Sequence, residues 1–159
     1  MHKNRGLINN RARAKQLRDY SGLRFGNITP TDLDGVIEYH NKAYLILELK
    51  YEDPELYLGQ RLALERITDD LEYRKPTLCI IASHYQHNPS KDIDAANASV
   101  TEYRLKGEWI KISQDSTITT RNIMDLFLED LDIGSKALQF LCARNQKANH
   151  NLSKYMGVQ

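Results

Sequence analysis

The run Thr77-Leu78-Cys79-Ile80-Ile81-Ala82-Ser83 constrains this chain more than any other feature. It is short, nearly all apolar, and bounded upstream by Lys75-Pro76. A strand with no polar face is covered on both sides, which is the usual condition of a strand lying parallel to its neighbour. Parallel neighbours need a crossover connection, usually a helix. The sequence supplies one. Ala43 to Tyr51 reads as a strand, and Leu58 to Tyr73 sets Leu62, Leu64, Ile67 and Leu71 near helical spacing with charge on the other face. Upstream, Val36 to Tyr39 reads as a strand that joins Ala43–Tyr51 through the turn His40-Asn41-Lys42, making a hairpin. Downstream, His87 to Asn97 is a polar loop, and Val100 to Ile112 is a second hairpin around Lys106-Gly107. Thr119-Thr120 caps a helix from Arg121 to Leu131, and Ser135 to Arg144 is a last helix. Asn10 to Tyr20 is rich in helix formers and stops before Ser21-Gly22, which predicts a short basic helix. Together these elements predict an α/β (α+β) fold.

The length, 159 residues, suits one domain, expected over 1–159 with a core at about 10–85 and a C-terminal hairpin and helices over 98–159. Two cysteines, Cys79 and Cys142, are too few for a disulfide framework and point to a reducing, cytoplasmic setting. The basic start Met1-His2-Lys3-Asn4-Arg5 is followed by no apolar stretch, so neither a signal peptide nor a membrane span is expected. The net charge of +1 conceals an uneven distribution. Residues 1–24 carry seven basic side chains and one acid, and residues 133–159 carry four basic side chains and no acid. That leaves −9 for residues 25–132. A basic arm is what phosphate binding requires, because each neutralised phosphate releases counterions. Arg11, Arg13, Lys15 and Arg18 are the candidate nucleic-acid contacts.

The acidic centre carries a chemical pattern. Glu48 and Lys50 are two apart in Leu47-Glu48-Leu49-Lys50, so they share one face of a strand while Leu47 and Leu49 share the other. A hairpin register that pairs the strand ends brings Asp34 close to Glu48. Two carboxylates suit a hard divalent cation, which takes one or two of them with waters and substrate phosphate. A lysine beside the cation can orient or deprotonate the attacking water.

Asp34 before a strand, then Glu48-x-Lys50 after a hairpin, resembles the motif of the PD-(D/E)xK nuclease superfamily, over roughly residues 10–83. Ile28-Thr29-Pro30-Thr31-Asp32-Leu33-Asp34-Gly35 through Lys50 also resembles small phage-encoded proteins, which would act in a host cytoplasm. The resemblance implies a restriction-endonuclease-like core, an αβββαβ-type mixed sheet flanked by helices. It implies a nuclease hydrolysing phosphodiester bonds, in DNA, with Mg²⁺ or Mn²⁺ as cofactor. Asp34, Glu48 and the Leu49 carbonyl would hold the metal, Lys50 would position the water, and Gln60 on the next helix would support the site. Such enzymes often dimerise, so a homodimer is a partner to consider. Two departures stand. Many members have a glutamate on the first helix, where this chain has only Asp19, and Pro30-Thr31-Asp32 leaves Asp32 as an alternative to Asp34. The missing glutamate favours the alternative function, a non-catalytic protein on the same fold that binds nucleic acid or modulates another protein. His84-x-x-His87 with Cys79 lacks a fourth zinc ligand, and packing is the expected role of both cysteines and of Trp109.

Overall fold

A computed structural model describes residues 18–52, 55–113 and 116–133 of the chain. The described residues fall into two compact units, divided between Asp32 and Leu33. The second unit is α+β. It contains β1 (Gly35–Tyr39), β2 (Ala43–Tyr51), α1 (Leu58–Glu72), β3 (Thr77–His84), β4 (Ser99–Leu105), β5 (Glu108–Lys111) and α2 (Thr120–Ile133). The five strands lie side by side in chain order. β1 and β2 are antiparallel, β2 and β3 are parallel, and β3–β4 and β4–β5 are antiparallel. Two strands rather than three precede α1 among the described residues, whose order in the second unit is ββαβββα; most of the first helix of the expected αβββαβ core lies outside them. No helix among the described residues is long and apolar enough to cross a membrane.

The apolar run is the central strand of the sheet, with seven successive buried residues from Thr77 to Ser83. Covering both its faces requires two layers, and the chain provides them. On one face Leu45, Leu78, Ile80, Val100 and Tyr103 pack with Ile123 and Phe127 of α2. On the other, Ile46 and Cys79 pack with Leu64 of α1, joined by Leu33, Leu71 and Trp109. Both hairpins turn through residues of positive φ. His40 (48°) and Asn41 (60°) close the first, Lys106 (52°) and Gly107 (76°) the second. These match the type I′ geometry whose twist suits paired strands.

α1 buries a narrower apolar stripe than its sequence predicts. Leu64 and Thr68 are its buried residues, while Ile67 is exposed. Thr68 is satisfied within the helix, donating its hydroxyl to the Leu64 carbonyl at 2.6 Å. The charged side of α1 does not all face water, contrary to expectation. Glu65 accepts from Trp109 Nε1 at 2.7 Å, and Asp69 takes two bonds from Arg104, at 2.8 and 2.7 Å. Arg61 pairs with Glu102, and Glu72 accepts the Lys106 backbone N–H at 3.0 Å. Arg61, Glu65, Asp69 and Glu72 follow helical spacing, and their partners come from β4, β5 and the turn between them. The two arginines also flank the Trp109 ring, at 4.8 and 5.7 Å from its centroid. Trp109 is thus an anchor between α1 and β5.

In the first unit, Arg18 to Tyr20 are not helical, so the basic helix does not extend to Tyr20. The Asp19 carboxylate accepts the Ser21 N–H at 2.9 Å, a local bond that competes with helix formation. A 3₁₀ turn, Ser21–Leu23, follows. Arg11, Arg13 and Lys15, and the last predicted helix over 135–144, lie outside the described residues.

Candidate functional site

Three local rules bring the acidic pattern together. Strand alternation aims Ile46, Glu48 and Lys50 at α1. The short connection from β2 sets the first turn of α1, with Gln60, beside the end of that strand. The antiparallel register pairs Gly35 with Leu47, so the residue before β1, Asp34, falls at the level of Glu48.

Glu48 is 4% exposed. Its Oε1 accepts from Lys50 Nζ at 2.8 Å and from Gln60 Nε2 at 2.6 Å. Lys50 Nζ also donates to Gln60 Oε1 at 2.8 Å, so the three side chains form a closed ring of hydrogen bonds. Glu48 Oε2 is buried with no hydrogen-bond partner. Burial raises the Glu48 carboxyl above its ordinary value, the bond from Lys50 opposes this, and the nearby Asp34 charge adds to the rise. A buried carboxylate oxygen without a donor is costly, about 1–3 kcal/mol or more for a charged group.

Asp34 accepts the Leu49 backbone N–H through Oδ2 at 2.7 Å. The N–H and C=O of one strand residue point to the same lateral side. Leu49 therefore aims its carbonyl along the same flank, past the start of β1. Asp34, the Leu49 carbonyl and Glu48 edge one corner of the sheet, at the carboxyl end of the parallel pair β2–β3. Open α/β sheets bind ligands outside the carboxyl ends of their strands.

The structure thus joins Asp34, Glu48, Lys50 and Gln60. Asp32 pairs instead with Arg18 in the first unit, at 3.9 Å with both side chains exposed. Asp19, the acid nearest to a first-helix position, is engaged by Ser21, a bond that holds its carboxyl below the ordinary range.

Sequence reading missed a second buried carboxylate. Glu102 shares a cross-strand row with Glu48, separated by Ile81. Its Oε2 also lacks a partner, while Oε1 pairs with Arg61, next to Gln60 on α1. The missed signal was the alternation of Glu102, Arg104 and Lys106 along β4 and its turn, complementary to the charged stripe on α1.

Cys79 is wholly buried, and burial pushes its thiol up to about 12, which leaves it no nucleophilic role. His87 bonds Tyr51, and no group of three or more His, Cys, Asp or Glu side chains gathers as a metal site among the described residues. The candidate corner offers two carboxylates. Comparison with protein-family models, curated proteins and solved structures gave no match.

Proposed function

We propose that this chain is a metal-dependent nuclease that hydrolyses phosphodiester bonds in DNA, on a restriction-endonuclease-like core of the PD-(D/E)xK kind. The observation that carries the reading is Glu48 Oε2. It is a buried carboxylate oxygen with no donor, beside a second carboxylate and an ammonium. A divalent cation is the partner that such an oxygen lacks, and one or two carboxylates are what Mg²⁺ usually draws from a protein.

Asp34, Glu48 and the Leu49 carbonyl would hold Mg²⁺ or Mn²⁺. When bound, the ion lowers the pKa of a coordinated water and stabilises charge on the phosphoryl oxygens. The protein's own part is positional. Lys50 Nζ, held by Glu48 and Gln60, would orient the attacking water by donating to it, and the proton the water loses would pass to solvent. Gln60 fixes both the carboxylate and the ammonium, so neither reorganises during reaction. The Leu49 N–H fixes the Asp34 carboxylate. The basic ends of the chain, with Arg18 in the described part, would follow the phosphate backbone.

The test is incubation of the purified protein with linear, nicked, branched and single-stranded DNA in Mg²⁺, Mn²⁺ or EDTA. Cleavage that needs the metal and vanishes in Glu48→Ala and Lys50→Ala is expected. Binding to every substrate with no cleavage overturns the reading. It leaves the second one, a non-catalytic nucleic-acid or protein modulator on the same fold. The engagement of Asp19 by Ser21, in place of a first-helix glutamate, favours that second reading.

A further inference from the structure

The same end of the sheet carries a second arrangement, on the other face from Lys50. Tyr51, the last residue of β2, stands opposite His84, the last residue of β3. Their rings meet edge to face at 5.6 Å. His87, in the loop that follows, meets the Tyr51 ring at 5.8 Å and 87°, and its Nδ1 lies 2.6 Å from the Tyr51 hydroxyl. Three rings are therefore held by one another and by the strand ends. Tyr51 is nonetheless 46% exposed, and Tyr85 beside the cluster is 59% exposed.

We propose that Tyr51, His84 and His87 form a stacking platform for the bases of single-stranded nucleic acid. The inference rests on the reading of Glu48 and Lys50 as a phosphodiester site, because Lys50 immediately precedes Tyr51 on the strand. Aromatic rings, two of the three exposed, at the same end of the sheet as a phosphate-handling group supply the two components of single-strand recognition, since every base has a face to stack. The rings carry polar tips, which suits the mixed apolar and polar surface of a base better than an aliphatic protein partner. The adjoining residues Glu52 and Glu55 are acidic, so attraction to phosphate is not the source of affinity here. Stacking supplies the grip, and the basic ends of the chain supply the charge.

That division sets the test. Fluorescence anisotropy with labelled oligothymidine and oligouridine is measured in EDTA, across a salt series, on the full-length chain. Tyr51→Ala and His87→Ala weaken binding by roughly tenfold to a hundredfold, the effect of losing one stacked base. The slope of log affinity against log salt stays unchanged, because no phosphate contact is lost. Tyr51→Phe keeps the ring and retains most of the affinity. Thermal melting like wild type shows that the variants fold. Binding within about twofold of wild type in Tyr51→Ala overturns the platform, as does weaker binding with a flatter salt slope, or no binding of either strand by the wild-type chain. Comparison of the two strands reports DNA against RNA. Cleavage with an unchanged KM in Tyr51→Ala also overturns the platform and leaves the nuclease reading standing. Tyr51-dependent binding with no cleavage in Mg²⁺ or Mn²⁺ upholds the platform and removes the nuclease reading.

Discussion

Glu48 is the residue on which the site's energetics turn. Its burial and the neighbouring Asp34 charge raise its carboxyl, despite the bond from Lys50. A raised pKa in the folded chain means that the folded state holds a proton the unfolded chain has already released. In the metal-free protein this contribution to stability is fully present below the ordinary glutamate value of 4.5 and is lost as pH rises through the raised one. Glu48→Gln removes the titration. Its melting temperature should therefore fall less than that of wild type over the same rise in pH, as read by circular dichroism in EDTA. On the nuclease reading, divalent metal would act in the opposite direction, by favouring the charged form. A cation at 100 times its dissociation constant stabilises the folded chain by about 2.7 kcal/mol. Mg²⁺ or Mn²⁺ should raise the wild-type melting temperature and leave that of Glu48→Gln unmoved; equal shifts in both would remove Glu48 as a ligand. Gln60 bridges the two charged partners, so Gln60→Ala should cost about 1–3 kcal/mol in urea unfolding. Glu48, Lys50 and Asp34 were legible in the sequence because strand alternation and one hairpin register suffice to bring them together. Glu102 was not, since its burial depends on Arg61 arriving from a helix 41 residues earlier.

Among the elements, α1 is held by polar contacts as much as by apolar ones. Its start, its length and its role as a crossover follow from the sequence, because a parallel β2–β3 pair demands a connection of that kind. Its orientation about its own axis does not follow. Apolar spacing alone puts Ile67 toward the sheet, but the observed face is Leu64 and Thr68, with the charged stripe turned toward β4 and β5. Opposite charges on those strands decide the rotation. The Asp69–Arg104 pair is the strongest member, two nearly parallel bonds to a guanidinium of which little is exposed. The bond from Arg104 holds the Asp69 carboxyl below its usual range. Asp69→Ala leaves that guanidinium buried without a partner, a change that typically costs 3–5 kcal/mol for a fully buried pair. Asp69 is itself partly open to solvent, so a loss of about 2–3 kcal/mol is expected. Asp69→Leu combined with Arg104→Met removes both charges and should be less destabilised than Asp69→Ala alone. Chemical denaturation of the two variants beside wild type measures this, and a double variant less stable than the single one would show that packing, not the ion pair, orients α1.

For the whole molecule, the distribution of charge matters more than its sum. The net value of +1 is a cancellation between basic ends and a centre of −9. That −9 already counts the bases that pair within the centre, Lys50 with Glu48, Arg61 with Glu102 and Arg104 with Asp69. Such a net charge repels a polyanion unless metal or the basic ends offset it. On the nuclease reading, two independent dependences result. Catalysis follows the metal through the centre, and binding follows salt through the ends. Arg11, Arg13 and Lys15 carry the second dependence if they track phosphates. Each phosphate contact on duplex DNA contributes about 0.9 to the slope of log affinity against log salt. Replacing all three with glutamine should flatten that slope by about 2–3, weakening binding to all sequences alike. If the ends and the centre act separately, the metal-induced rise in melting temperature should persist. Titration of a labelled duplex across a salt series measures the first quantity, and a melt with and without Mg²⁺ measures the second. An unaltered slope in the triple variant would remove these residues from the interface, and a lost metal shift would mean that the ends and the centre do not act separately.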